Sequence, residues 1–530
     1  MEISAFKDLK NKNIGWLLIA MIGSFLLIGP LAMVLTKTVG INFHNISTLS
    51  NTVLPSYIAN TLWISGGVIV LSLFLGVSCA WAVTMYQFPF RKQLEWLLIL
   101  PLAIPSFING IAYAGLTDYA GPIRIALRAT PWLNDVYIDI MNAWGAIFVM
   151  SLVLYPYVYL TSRSAFANQS SQLLEASKLL GASELQSFYK VAFPLAWPAI
   201  FSGLSLVIME VLNDYGTVKY FGIPTFTTGI FKSWLSLGDM PSAIFLAFIL
   251  LSLVVIILSI EWWITRKRIT SNSSFSRRIH KEKLVGPKKY IVLTFIFGVL
   301  TFAFIVPLFQ LLWWLNLSFH NTDWSKFLII IGNTLKLSLY SSILIIVLGV
   351  FMAYAFRIIK KQKLISSLSK LSSLGYAMPG AVVAIGIIAT ILLINSELIY
   401  AGIYALLFGY TVRFFAVGYN PIVAGFKKNS SSLDDAAVTL GLTRLGSLFS
   451  VHLPLIKRSL LVSLILIFVD ISKELPITLI LRPFNFNTLS TNAYQFATDE
   501  MAPESSAASL FIILVGIIPI YILNRSMRSK

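Results

Sequence analysis

Charge is scarce in this chain of 530 residues. Asp, Glu, Lys and Arg make up 12% of it, about half of the ~25% usual in soluble domains. With 57% hydrophobic residues beside so little charge, an ordinary water-soluble enzyme and a disordered chain are both excluded. Cysteine is nearly absent, and the single Cys79 cannot close an internal disulfide, so a secreted disulfide scaffold is excluded too. The four histidines (His44, His280, His320, His452) are scattered; they make neither a His-rich metal store nor the catalytic cluster of a membrane-embedded enzyme. A Gly-x-x-x-x-Gly-Lys-Ser/Thr phosphate loop is missing, which excludes ATP hydrolysis by that machinery. Long polar stretches are missing as well, except for 266–289 at the middle of the chain.

What remains is apolar sequence in blocks of about 20 residues, the length that crosses a bilayer as a helix. Twelve such stretches are expected near 14–36, 57–84, 94–116, 139–161, 195–213, 242–265, 290–315, 328–356, 373–394, 397–420, 459–480 and 508–524. The fold class is therefore an all-α polytopic membrane protein. Thirty of the 40 Lys and Arg fall in alternate connecting segments beginning with the N-terminus, and seven in the others. Since positive loops stay in the cytoplasm, both termini are expected there. The first apolar stretch follows Lys7, Lys10 and Lys12 and is too long for a signal-peptide core, so it reads as an uncleaved anchor. The net charge of +18 thus points to a lipid membrane and not to nucleic acid. Trp262-Trp263 and Trp313-Trp314 read as anchors at the membrane–water interface.

The chain repeats itself. LLEASKLLGASELQSFYKVAFPLAWP begins at Leu173 and SLDDAAVTLGLTRLGSLFSVHLPLIK at Ser432. An offset of 260 puts Glu175 on Asp435, Gly181 on Gly441, Val191 on Val451 and Pro194 on Pro454 without a gap. Asn60-Thr61-Leu62 echoes Asn333-Thr334-Leu335 at offset 273, and Pro105 echoes Pro379 at 274, so the first half carries an insertion of about a dozen residues, expected near 117–138. The expected division is a first six-helix unit at 1–265, a basic linker at 266–289 and a second six-helix unit at 290–530. Both repeated loops leave on one side, so the units run parallel and the pathway is expected between them.

Each repeated loop, near 173–194 and 432–454, reads as a helix–turn–helix. The carboxylate sits in the first turn, where the helix dipole favours it. Gly181 and Gly441 suit the left-handed position that ends such a helix, and Pro194 and Pro454 introduce the next span. These residues resemble the coupling loop of binding-protein-dependent ABC permeases (acidic-Ala-Ala, then Gly, then Ile/Val and Leu-Pro). Glu175, Ala176, Ser177, Gly181 and Pro194 match it in the first half. Asp435, Ala436, Ala437, Gly441 and Pro454 match it in the second. Ser177, Phe193 and Asp435 depart conservatively from the pattern. The resemblance covers both halves. It implies that these loops dock on a separate ATPase, that two ATPase copies are partners, and that ATP and magnesium are bound there and not by this chain. It further implies transport by alternating access, with no covalent chemistry in this chain.

Two further segments, from Asp214 to Trp234 and from Lys473 to Glu500, resemble fused permeases for ferric iron. The resemblance implies a ferric-ion-binding protein that delivers the cargo. Fused thiamine permeases come next, and polyamine or oxyanion permeases after them. A gradient-driven secondary transporter is the rival from another class, but it has no need of the paired loops. The fifth stretch ends in Glu210 and Asp214, and the eleventh in Asp470 and Glu474. Intramembrane carboxylates suggest a pathway, and at i,i+4 spacing each pair is expected to share a helix face. Oxygen ligands suit a hard trivalent cation, so transient contact at Asp214 and Glu474 is expected, without a permanent metal site. Pairing with Lys219, Lys473 or Arg482 is the alternative for these acids.

Overall fold

A computed structural model describes residues 14–38, 43–167, 169, 176–177, 179–266, 281–359, 368–369, 371–372, 375, 377–394, 402–430 and 432–528. The chain is an all-α polytopic membrane protein. In lipid every backbone N–H and C=O must be satisfied within the segment, and apolar runs of this length achieve that as helices. Twelve of them fall on the expected stretches: α1 Ile14–Thr38, α2 Leu54–Met85, α3 Ser106–Thr117, α4 Ala143–Ala167, α5 Phe193–Asn213 and α6 Met240–Thr265, then α7 Pro287–Ser318, α8 Trp324–Ile358, α9 Gly380–Ile394, α10 Gly402–Lys427, α11 Leu453–Ser472 and α12 Ser506–Arg528. Among the described residues nine helices are long and apolar enough to cross unaided. Arg91–Ala103 joined to Ser106–Ala129 makes a tenth, bent by 91°. The bend falls at Pro105, whose φ of −58° and ψ of 144° leave the helical region, and Pro105 also pushes the residue before it out of that region.

The eleventh stretch is shorter than expected. α11 stops at Ser472, and a separate helix, Pro476–Leu481, follows. The fifth ends at Asn213, as expected, and is followed by the short helices Gly216–Tyr220 and Phe226–Phe231. The insertion in the first half holds the helix Pro122–Ala129. Residues 267–280 of the basic linker lie outside the described residues, as do Lys7, Lys10 and Lys12. The end of the basic linker pairs with the chain: Glu282–Lys283 (β2) runs parallel to Tyr86–Gln87 (β1), and Leu284 N donates to Gln87 O at 3.1 Å.

The described chain forms two compact units. One comprises 1–43, 233–248 and 323–491, the other 44–232, 249–322 and 492–530. Packing therefore divides the chain differently from the sequence repeat. In the first unit α1 lies against helices of the second half: Ser372 Oγ donates to Ser24 Oγ at 3.0 Å, and Trp16 meets Tyr354 edge-on at 5.0 Å. A β-carbon on Gly386 would come within 2.3 Å of Pro30 O. In the second unit Gly76 lets α2 approach the backbone of α4 at Tyr155, as small residues do in membrane interfaces. Trp314, expected as an interfacial anchor, is instead buried, its ring filling the notch left by Gly115. Trp262 and Trp263 are exposed, as anchors are.

Candidate functional site: an elbow built twice

The second elbow is complete from Ser432 onward. Asp434 and Asp435 stand in the first turn of the helix Ser432–Thr439. Leu440 N donates to Ala436 O and Leu442 N to Ala437 O, both at 3.0 Å, around Gly441 at φ +85°. Thr443 Oγ1 then accepts from Gly446 N at 3.0 Å and caps the helix Arg444–Ser447. A π turn, Leu448–His452, leads to Pro454 in the first turn of α11, where a missing N–H does no harm.

The first elbow repeats this bond for bond. Leu180 N donates to Ala176 O and Ala182 N to Ser177 O, both at 3.0 Å, around Gly181 at φ +84°. Ser183 caps Glu184–Ser187 with a reciprocal bond from its own N–H to Gln186 Oε1. The π turn Phe188–Ala192 precedes Pro194. Glu175 lies outside the described residues. The second small residue of the motif faces inward: Ser177 and Ala437 are buried, while Ala176 and Ala436 are exposed. Ser177 Oγ lies 2.8 Å from Ser187 Oγ across the turn. A larger side chain there would force the two short helices apart.

Both elbows display apolar side chains that sequence reasoning did not single out. Leu180, Leu185 and Tyr189 are exposed in the first; Leu440, Leu445 and Phe449 stand at the same positions, offset 260, in the second. Leu180 is 88% exposed and Leu440 82%. Isolated exposed apolar residues mean little, but this set is repeated position by position between the two loops. The signal was legible as apolar residues retained between the repeats at offset 260.

The first elbow is steadied from three sides. Trp81 packs edge-on against Phe166 at 5.3 Å and Phe188 at 4.8 Å. Tyr86 OH donates to Glu184 Oε2 at 3.4 Å, and Lys288 Nζ, just beyond β2, lies 3.9 Å from the same oxygen.

The carboxylates occupy a second repeated arrangement. The i,i+4 reading fails, because α5 and α11 end before Asp214 and Glu474; neither pair shares a helix face. Asp214 turns forward. Its Oδ1 accepts from Thr217 N at 2.9 Å and Val218 N at 3.2 Å, and its Oδ2 from Thr217 Oγ1 at 2.8 Å. Glu474 Oε1 accepts from Ile477 N at 3.1 Å, while Oε2 lies 3.6 Å from Arg413 Nε. Asp470 pairs with Lys473 at 3.1 Å, and Glu210 lies on α5 one turn before Asp214. The Asn-Thr echo clamps the starts of the short helices Phe226–Phe231 and Leu489–Thr498. Asn60 Nδ2 donates to Pro224 O at 2.9 Å and Asn333 Nδ2 to Asn487 O at 3.3 Å. Phe226 N donates to Thr61 Oγ1 and Leu489 N to Thr334 Oγ1. Among the described residues no three His, Cys, Asp or Glu side chains converge as a metal-ligand set.

Comparison with known proteins follows the repeat. The family described as "Binding-protein-dependent transport system inner membrane component" matches residues 72–269 and again 345–530. An Fe(3+)-transport system permease protein of Haemophilus influenzae is 25% identical over 515 residues, 96% of this chain and 97% of that protein. Two sulfate transport system permease proteins of Escherichia coli match shorter stretches. CysT is 32% identical over 155 residues, 28% of this chain and 54% of its own length. CysW is 27% identical over 229 residues, 41% of this chain and 76% of its own.

Proposed function

Because the chain belongs to the family of binding-protein-dependent transport system inner membrane components, we propose that this ABC importer permease moves ferric iron across the cytoplasmic membrane. The elbows face the cytoplasm together with both termini, the orientation that the Lys and Arg distribution favours. Two copies of an ATPase subunit, holding ATP and magnesium, grip one elbow each. A ferric-ion-binding protein delivers cargo to the opposite face. The residues 1–265 and 290–530 act as two six-helix transport units, and closure of the ATPases reaches them through Glu175, Ala176, Ser177, Gly181 and Pro194 and through Asp435, Ala436, Ala437, Gly441 and Pro454. The observation that carries the reading is the elbow itself, built twice with the same bonds and the same exposed apolar set.

Iron is supported by the Haemophilus influenzae relative, whose likeness runs through both halves. Sulfate is the second reading, favoured by relatives that match part of the chain. Glu210, Asp214, Asp470 and Glu474 line the way for a hard cation in this proposal, but Asp214 and Glu474 also fix the turns after α5 and α11. Cargo contact at those two therefore requires the turns to open.

Uptake of radiolabelled ferric iron, sulfate and thiamine is the test, in cells lacking their own systems and given this chain with its ATPase and binding protein. Iron alone is expected to accumulate. Equal iron uptake with and without the chain would sink the substrate, and sulfate uptake would replace it. In the same cells, Leu180→Asp with Leu440→Asp should cut ATPase co-purification about thirtyfold or more, the ~2 kcal/mol of an interface hot spot. Undiminished co-purification would remove the elbows as the docking surface.

A further inference from the structure

The two elbows share a backbone but are held in place by different chemistry. At the second, Arg357 closes α8 and reaches both the end of α10 and the elbow helix. Its Nε donates to Asp434 Oδ2 at 2.8 Å, Nη1 to Phe426 O and to Asn429 O at 3.2 Å, and Nη2 to Ser430 O at 2.8 Å. Four of the five guanidinium N–H groups are thus directed at the end of α10 and the first turn of the elbow helix. The other carboxylate oxygen of Asp434 lies 2.6 Å from Nε2 of His452, in the π turn that leads into α11. His452 is wholly buried, with its ring 5.3 Å from Tyr354 and 5.6 Å from Phe426. Burial holds its imidazole below the ordinary 6.5 in spite of the attraction of Asp434. Tyr354, one turn before Arg357, donates from its hydroxyl to Arg444 O at 3.0 Å.

The first repeat has none of these charges. At the matching positions stand Thr84 for Arg357, Leu174 for Asp434 and Ala192 for His452. Phe166 matches Phe426, while Trp81 and Phe188 replace Tyr354 and Leu448. There Trp81 packs edge-on against Phe166 and Phe188. A neutral imidazole leaves one cation and one anion in the cluster, both largely buried. Such a pair is a weak source of stability, since apolar residues of similar volume often do as well. What it supplies is direction, because a planar fork fixes its partners at set positions where a flexible ammonium would not.

We propose that Arg357, Asp434 and His452 are positioning residues that latch the second elbow to the end of α8, so that motion of that elbow is carried into the helix. This deepens the docking role proposed for the elbows and rests on it. The two elbows are then not equivalent: loss of the latch frees the second and leaves the first as it was.

The test uses the full-length chain with Cys79→Ser, the single cysteine being removed so that a spin label can be placed at will. One sample carries the label at Thr439→Cys, the other at Leu179→Cys, the matching position of the first elbow. Both positions are exposed and lie outside the repeated apolar set. In Arg357→Gln the label at 439 is expected to tumble several-fold faster, with the label at 179 unchanged. The triple variant Arg357→Thr, Asp434→Leu, His452→Ala removes the buried charges together. It should fold with near-native thermal stability, yet leave the label at 439 mobile. In proteoliposomes holding the ATPase and binding protein, both variants should transport several-fold less iron per ATP hydrolysed.

Three results would overturn the latch: a label at 439 that stays slow in Arg357→Gln, one that returns to the native rate in the triple variant, or loosening of both labels together. The first denies the anchor, the second reduces the cluster to burial, and the third reports general unfolding. Label motion needs no ATPase, so a chain that failed to retain its ATPase would sink the docking role and leave this measurement standing.

Discussion

Asp214 and Glu474 stand at matching positions, and each ends up fixing a turn; Glu474 also meets a cation, Arg413, within the bundle. Arg413 and Glu474 are 4% and 5% exposed. Breaking a buried pair from one side leaves the other charge without its counterion, at a cost of about 3–5 kcal/mol. Glu474→Ala should therefore lower the thermal unfolding midpoint of the purified chain sharply. Arg413→Leu with Glu474→Gln should recover most of the loss. Additive losses in the double variant would show that the two groups are not coupled. Asp214→Ala, which removes a turn cap, should cost only about 0.5–2 kcal/mol. The acids themselves were legible in the sequence as expensive residues near the ends of apolar stretches. Their surroundings were not. Arg413 lies in a different span, and no periodicity connects it to Glu474. The choice between a cargo-facing acid and a turn-fixing acid depends on where the preceding helix stops, and apolar runs blur that end.

Among the elements, the spans were readable because a bilayer demands about 20 apolar residues and tolerates few charges. The short helices after α5 and α11 were not, since five to ten residues carry too little pattern to separate from the span before them. The elbows were readable through their glycines. At Gly441, with φ +85°, a β-carbon meets no neighbour, so the constraint is conformational and not one of space. Left-handed backbone costs an ordinary residue about 1–2 kcal/mol, and a β-branched one more. Gly441→Val should therefore reshape the turn and reduce ATPase retention, with little change in the midpoint of global unfolding. Gly332→Ala, in the middle of α8 with open space around it, should leave retention intact and stabilise slightly. Equal retention in the two variants would mean that the left-handed turn is not what presents Leu440.

For the molecule as a whole, the repeat says where each half begins and packing says which helices depend on one another; the two partitions disagree. Neither composition nor spacing could reveal this, because a membrane span is apolar on its lipid side as well as its protein side and so gives little sign of which neighbour it covers. The disagreement is sharpest at α1. It opens the first half of the sequence but packs in the unit that contains 323–491, where Gly386 admits Pro30 O and Gly23 faces Met352. A side chain at 386 has nowhere to go, since the nearest atoms are backbone. Gly386→Val should force α1 away and cost about 1–3 kcal/mol, as overpacking does. The effect should appear more than three hundred residues away in sequence, as faster proteolysis at Lys37 in the intact purified chain. Gly298→Val, in α7 with nothing near its missing β-carbon, should leave that site as resistant as before. If Lys37 were cut no faster in Gly386→Val than in Gly298→Val, α1 would not be held by the second half. The fold would then divide as the repeat does, at the central linker.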